Sequence, residues 1–201
     1  ILLCEESSNK AECRKYTSIW SNTTGFIKDL VEYSRKIEID KSTNTKSCKV
    51  IIGADVSYSK GKRDVNFDFR HAINKKFFNK GDTIDFTIEP SVNLYLYIFN
   101  WAPDKNTNLY DTEVNLLFPN IDKKNMIKKK TIIPRKGSFQ VAPLKSCKKS
   151  LCEEFLMIIA TKEPISFQKI YRLRELKTKI SEINLDKRRE KTDVIFIQNT
   201  N

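Results

Sequence analysis

The spacing of apolar residues changes twice along the chain. In residues 23–37 the apolar positions recur at near-helical spacing, which predicts an N-terminal helix capped by Thr23 or Thr24. From residue 48 the period falls to two, and from residue 166 it returns to that of a helix, with Ser166 as the expected cap. Residues 166–191 place six apolar positions on one stripe: Phe167, Ile170, Leu173, Leu176, Ile180 and Ile183. We therefore predict a β-rich centre between two helices, with a closing strand at 192–198.

The central part of the chain contains seven or eight short apolar runs at intervals of roughly ten residues, with turn signals between them. Residues 48–60 and 64–69 alternate apolar and polar positions on either side of a glycine turn, which predicts a hairpin. Further strands are predicted at 84–88, 93–101, 113–118, 131–134, 138–143 and 154–161. This spacing is typical of a sandwich or barrel. The predicted fold is mainly β, an immunoglobulin-like antiparallel β-sandwich with an N-terminal helix and a C-terminal helix plus strand.

The run NLYLYIFNW at 93–101 is apolar at nearly every position. It is too short for a membrane-spanning helix, which needs about 20 residues. An apolar run on both faces indicates a central strand, covered on one face by the other sheet and on the other by a helix. The run NLLFPN at 115–120 is expected to pair nearby, with Phe118 closing the core and Pro119 ending the strand.

These changes of period divide the chain into three parts. Residues 1–47 form an N-terminal extension with a helix, residues 48–164 the β-sandwich domain, and residues 165–201 the C-terminal helix and closing strand. The C-terminal helix is expected to pack on the sandwich, because its stripe is modest and aliphatic. The alternative is a helix that binds a partner or a membrane surface.

The charge is strongly basic, with 37 Lys and Arg against 25 Asp and Glu, or a net charge of +12. Such a charge attracts anionic partners, but here it is spread along the chain, as on a solvated surface. Nucleic acid is therefore not the expected partner. The most concentrated group is a predicted interaction loop that contains Lys123, Lys124, Lys128, Lys129 and Lys130.

Five cysteines are present, and they bear on the compartment. Cys147 and Cys152 flank the sequence KKSL between two predicted strands, where a disulfide would staple a hairpin. A second bridge is expected among Cys4, Cys13 and Cys48, with Cys13 and Cys48 as the candidates. Disulfides would indicate an oxidising compartment, whereas five thiols would indicate the cytosol. The chain starts at Ile1 without a methionine, so we expect that a targeting signal or an upstream domain has been removed.

Signatures of catalysis are missing from the sequence. It has no Gly-rich phosphate loop, no G-x-S-x-G and no H-E-x-x-H, and its single histidine excludes a multi-histidine metal site. We interpret His71 as structural, since no cysteine spacing proposes a nucleophilic partner for it. We predict no catalytic residues, no metal and no cofactor, and hence not an enzyme.

The order of the motifs in residues 75–161 resembles a bacterial family known as domain of unknown function 4384. The matching motifs are NKKFFNKGDTIDFTI, LYLYIFNW, VNLLFPN, NMIKKKTIIP, SFQVAP and FLMIIAT. The resemblance implies a β-sandwich accessory domain of envelope or secreted proteins, at times attached to caspase-like peptidase or kinase modules. It implies no catalytic residues. The chain differs from the family at Cys147 and Cys152, where members have a short Pro/Gly turn.

We therefore expect a non-catalytic interaction or accessory domain of a bacterial cell-envelope or secreted protein, acting as a subunit or adaptor in a larger assembly. Its location would be the periplasm, the outer-membrane surface or the outside of the cell, and its partner a protein of the envelope. One alternative is a regulatory or substrate-recognition domain of a hydrolase. Another is a basic module that binds an anionic polymer, whose affinity would fall steeply with salt.

Overall fold

A computed structural model describes residues 2–7, 10–15, 25–40, 45–102, 111–119, 125–134, 137–143 and 150–198. The described part is mainly β, with one α-helix and one short 3-10 helix. The elements are β1 (Leu2–Ser7), β2 (Lys10–Lys15), β3 (Gly25–Asp40), β4 (Thr45–Tyr58), β5 (Phe69–Ile73), β6 (Phe77–Asn79), β7 (Thr83–Ile84), β8 (Phe86–Pro90), β9 (Leu94–Trp101), β10 (Glu113–Phe118), β11 (Met126–Ile127), β12 (Thr131–Ile133), β13 (Phe139–Gln140), β14 (Leu151–Thr161), β15 (Ile170–Arg172), α1 (Leu173–Ser181), the 3-10 helix (Leu185–Lys187) and β16 (Arg188–Gln198).

The largest sheet has seven strands in the order β15-β10-β9-β14-β16-β6, with β11 also paired to β9. All its pairings are antiparallel except that of β16 with β6. Three strands, β12-β8-β5, form a second sheet, and β13 pairs with β7. The prediction of a mainly β protein built from antiparallel sheets is confirmed.

Strand β9 lies at the centre of the large sheet, and both its faces are buried. Leu94, Leu96 and Ile98 belong to a core that also contains side chains of the three-stranded sheet. Tyr97, Phe99 and Trp101 belong to a second core, on the side covered by α1. The prediction that this run is a central strand covered by a sheet and by a helix is confirmed.

The end of β10 also agrees with the sequence. Phe118 is buried in the core between the sheets, and the strand ends at this residue, directly before Pro119. Proline lacks the N–H that would extend the ladder, so the strand stops there. Asn120, the last residue of that motif, lies outside the described residues.

The predicted N-terminal helix is wrong, because residues 25–40 form the long strand β3. Its register with β4 shifts between Ile27 and Asp29 and again between Glu32 and Ser34. Each such bulge adds one residue and moves the following side chains to the opposite face. In β3 the alternation of apolar and polar residues is interrupted twice, so the apolar residues recur at intervals that resemble those of a helix. The pairing of β3 with β4 also corrects the predicted hairpin of 48–60 with 64–69.

The C-terminal helix is shorter than predicted, spanning Leu173–Ser181 instead of 166–191. Its cap is Arg172, not Ser166, and the Arg172 N–H donates to the Glu175 carboxylate at 2.9 Å. After the helix, β16 pairs with β14 along all eleven residues. This long-range ladder overrides the helical preference of residues 188–191. The expectation that the helix packs on the sheet is confirmed, since Leu173, Leu176 and Ile180 are buried there.

Replacing Leu96 by Ala tests the role of β9. Leu96 is fully buried, so the cavity should lower the free energy of unfolding by about 2–5 kcal/mol. The matched control, Ile132→Ala, removes a side chain that is 58% exposed and should change it by less than about 0.5 kcal/mol. Urea unfolding followed by circular dichroism measures both. Equal effects of the two substitutions would contradict the central position of β9.

Candidate interaction surface and its anchoring

Strands β3 and β4 form a two-stranded sheet that we call the arm. The ladder runs from Gly25 opposite Tyr58, at the root, to Asp40 opposite Thr45, at the tip. At about 3.3 Å per residue the arm is roughly 50 Å long. Within the described ranges, no further strand pairs with either outer edge of the arm. Its edges therefore offer unpaired backbone groups to another strand.

The arm carries a large share of the exposed apolar surface. Among the described side chains, seven of the thirteen large apolar ones that are exposed lie on it: Val31, Tyr33, Ile37, Ile39, Ile51, Ile52 and Tyr58. Concentrated apolar exposure of this kind marks interaction sites on soluble proteins.

The two faces of the arm near its tip differ in character. Residues directly opposite in an antiparallel pair share a face. Ile37 lies opposite Cys48 and Arg35 opposite Val50, which gives one face with a mainly apolar row. On the other face Lys36 lies opposite Lys49, and the Lys36 ammonium is 2.7 Å from the Glu38 carboxylate.

A tyrosine and a glycine pack against each other at the second bulge of the arm. A Cβ added to Gly53 would lie only 2.5 Å from Cε2 of Tyr33. The Tyr33 ring therefore rests directly on the backbone of the opposite strand. This contact shields the ladder where the bulge interrupts it.

The root of the arm is fixed by residues that precede and begin β16. The Arg188 guanidinium donates to the Ser59 hydroxyl at 2.8 Å and also to the carbonyl of Ile180. The Leu185 N–H donates to the carbonyl of Lys60 at 2.8 Å. Gly61 has φ 83°, and a Cβ there would lie 3.0 Å from the Asp186 carboxylate. The chain leaving β4 is thus held against the end of α1 and the start of β16.

Beneath α1, Arg188 takes part in a buried ionic cluster. Its Nε lies 3.0 Å from the Glu190 carboxylate. Burial raises the pKa of Glu190, while Arg188 and Lys177 oppose the rise. Burial likewise lowers the pKa of Lys177 to about 8, against the attraction of Glu190. No local pattern in the sequence indicates this cluster, because its members come from α1 and β16 and meet only in the fold.

His71 lies on β5 and contacts the Asp193 carboxylate of β16 through Nε2. The pair joins the small sheet to the large one. The hydrogen bond from His71 is the main reason why the pKa of Asp193 lies below its usual value. Nearby, Lys191 lies over the ring of Phe69 at 4.9 Å. These contacts fit the structural interpretation of His71. Within the described ranges, no group of three or more His, Cys, Asp or Glu residues is placed to hold a metal ion.

The predicted disulfide residues lie in different parts of the chain. Cys152 is buried and disulfide-bonded, but Cys147 lies outside the described residues, so their pairing stays a prediction. Cys13 lies opposite Cys4 in the β1–β2 pair. Cys48 lies on the arm, opposite Ile37 instead of another cysteine. A bridge that includes Cys13 or Cys48 stays a prediction.

The predicted lysine loop is only partly described. Lys128, Lys129 and Lys130 are exposed between β11 and β12, whereas Lys123 and Lys124 lie outside the described residues. An interaction through this loop stays a prediction.

A cavity of about 210 Å³ opens between the sheets beside Asn100 and Glu154. The amide of Asn100 donates to the Glu154 carboxylate at 3.2 Å, and its own carbonyl oxygen is buried without a hydrogen-bond partner. Sequence reasoning missed both residues because they sit inside apolar runs. Strand alternation was the available signal, since Glu154 shares the face of Cys152 and Leu156, two core positions.

Comparisons with known proteins identify no relative of this chain. No protein family, no curated protein and no solved structure matches it. Within the described ranges, no helix has the length and apolar character needed to cross a membrane.

The titration of Lys177 predicts a pH dependence of stability. The pKa of Lys177 is about 8 in the folded protein, against 10.5 for an exposed lysine. Below pH 8 the folded protein therefore buries a charged ammonium group, and the loss of its solvation lowers the stability of the fold. That cost disappears as the pH rises towards 10.5. The unfolding free energy should therefore gain about 2–3 kcal/mol from this group between pH 7 and pH 10.

The variant Lys177→Met should lose this gain, whereas Lys179→Met, which changes an exposed lysine of the same helix, should keep it. Urea unfolding at both pH values measures the difference. An identical pH dependence in wild type and Lys177→Met would show that Lys177 is solvated.

Proposed function

We propose that the chain is a non-catalytic interaction domain, a subunit or adaptor that binds other proteins through the arm. The observation that carries this proposal is the arm itself, a long hairpin with open edges and clustered exposed apolar residues. A two-stranded hairpin is only marginally stable in water without further packing. A chain that keeps such a hairpin and anchors its root firmly gains a surface for strand addition.

The contacts of the titratable groups support a non-catalytic role. His71 and Asp193 join two sheets, and Arg188 and Glu190 lie beneath α1 beside the root of the arm. Each pair has a structural task in the fold. Shifted pKa values also arise in such structural ion pairs, so they do not require catalysis.

We further propose that the domain acts in a bacterial envelope or secreted assembly, with an immunoglobulin-like sandwich as its body. Three things support this setting: the motif order in residues 75–161, the disulfide at Cys152 and the strand-based surface. Disulfides persist in the periplasm and outside the cell. Strand addition is also a recurring mode of envelope assembly.

Site-specific photo-crosslinking tests the arm as the docking surface. The amino acid p-benzoylphenylalanine is placed at Ile39, near the arm tip, or at Ile132, a control on the three-stranded sheet. Both side chains are more than half exposed, at 57% and 58%. Irradiation in the cells that produce the protein should give a discrete adduct from Ile39 and none of that size from Ile132.

The identity of the adduct is read by mass spectrometry. No adduct from Ile39, or the same adducts from both positions, would contradict the arm as the docking surface. Full unfolding curves of both variants confirm that the body is intact.

A further inference from the structure

We infer that the arm tip binds a second copy of this chain, by antiparallel pairing of β3 with β3 about a two-fold axis at Ile37. This inference rests on the proposed use of the arm as a docking surface and names its occupant. It concerns residues 34–40, the part of β3 beyond both bulges.

The outer edge of β3 is regular over these residues. From Ser34 opposite Ile51 to Asp40 opposite Thr45, the register with β4 advances one residue at a time without a shift. Seven regular residues exceed a typical strand of about five to six. The second bulge, between Glu32 and Ser34, ends this stretch and limits pairing to the tip.

The residues of this edge are complementary to themselves. With Ile37 opposite Ile37 of the second copy, Lys36 lies opposite Glu38 and Arg35 opposite Ile39. A two-fold axis makes each of these pairs occur twice. Lys36 and Glu38 are both exposed and already lie 2.7 Å apart within one strand, on one face. The same two charges can therefore form two bridges between copies without moving to another face.

The apolar face of the arm becomes continuous in this arrangement. Cys48 is the cross-strand neighbour of Ile37, so the central row would read Cys48, Ile37, Ile37 and Cys48 across four strands. Ile37 is 45% exposed in the single chain and would gain an apolar neighbour at the axis. Apolar side chains opposite one another stabilise a sheet.

Charge also favours the arm over the rest of the surface for self-association. The whole chain carries +12, so two copies repel each other. On β3, three basic residues stand against four acidic ones, and on β4 two basic residues stand against one acidic one. The two strands together are therefore neutral. At the tip, residues 34–40 and 45–51 hold four basic residues against two acidic ones, so the arm adds only a small charge to the repulsion between copies.

Seven residues per strand make a small interface, so the dimer should be weak and should dissociate on dilution. Interfaces that bury less than about 1,200 Å² belong to weak or transient complexes.

Sedimentation velocity of the full chain over a range of concentrations tests the inference through two charge reversals. Lys36→Glu and Glu38→Lys each place like charges opposite one another at both bridges. Each variant alone should dimerise at least about tenfold more weakly than wild type. An equimolar mixture of the two variants should recover dimerisation, because each copy then meets the opposite charges. The double variant, Lys36→Glu with Glu38→Lys, should recover it as well.

Two changes on the body serve as matched controls. Lys80→Glu and Glu182→Lys make the same charge changes at exposed positions and should leave the dimer unaffected. A chain that stays monomeric at all concentrations, or a dimer that is indifferent to the reversals at 36 and 38, would overturn the inference. A crosslink from Ile39 to a different protein would then still support the arm as a docking surface, so the two proposals fail separately.

Discussion

The antiparallel ladder between β9 and β14 is the constraint on which the rest of the structure depends. The two strands pair from Phe155 opposite Trp101 to Thr161 opposite Tyr95, with Ile98 opposite Ile158 at the centre. Side chains of this ladder alternate between two buried cores. One core is covered by the three-stranded sheet, and the other is covered by α1. The ladder thus determines both outer layers, and since β16 pairs with β14, it also places Arg188 at the root of the arm.

The sequence predicts those parts of the fold in which each strand is regular and its burial is uniform. Apolar residues on both faces revealed β9, and a proline directly after Phe118 revealed the end of β10. The prediction failed for β3, where two bulges reverse the alternation, and for the end of the C-terminal helix. Residues 188–191 form a strand because they pair with β14. That partner lies some thirty residues away in the sequence, so no local pattern indicates it. The Asn100–Glu154 pair was not predicted either, because both residues sit inside apolar runs. Only the alternation of β14 indicates that Glu154 faces the core together with Cys152 and Leu156.

The arm and the body are stabilised in different ways. The body has two cores, whereas the arm relies on its own ladder, on the Tyr33 ring over Gly53, on the contact of β3 with α1 and on the anchor at its root. Near the arm tip, apolar residues of a kind that is usually buried in a core are exposed, including Ile37 and Ile39. The candidate surface was therefore not predictable from the sequence, which placed this segment in a helix. The apolar residues of this segment can be read from the sequence, but their exposure cannot. They are exposed because β3 pairs with β4 and, among the described elements, with no third strand.

Amide hydrogen exchange, followed by mass spectrometry at a low and a high protein concentration, tests most directly whether a rigid body carries an exposed, self-pairing arm. Strands β9 and β14 should exchange slowest at both concentrations. Peptides covering residues 34–40 should exchange far faster in dilute protein and should slow as the concentration rises. Protection of the arm tip equal to that of β9 in dilute protein would contradict the account, because the arm would then be packed into the body.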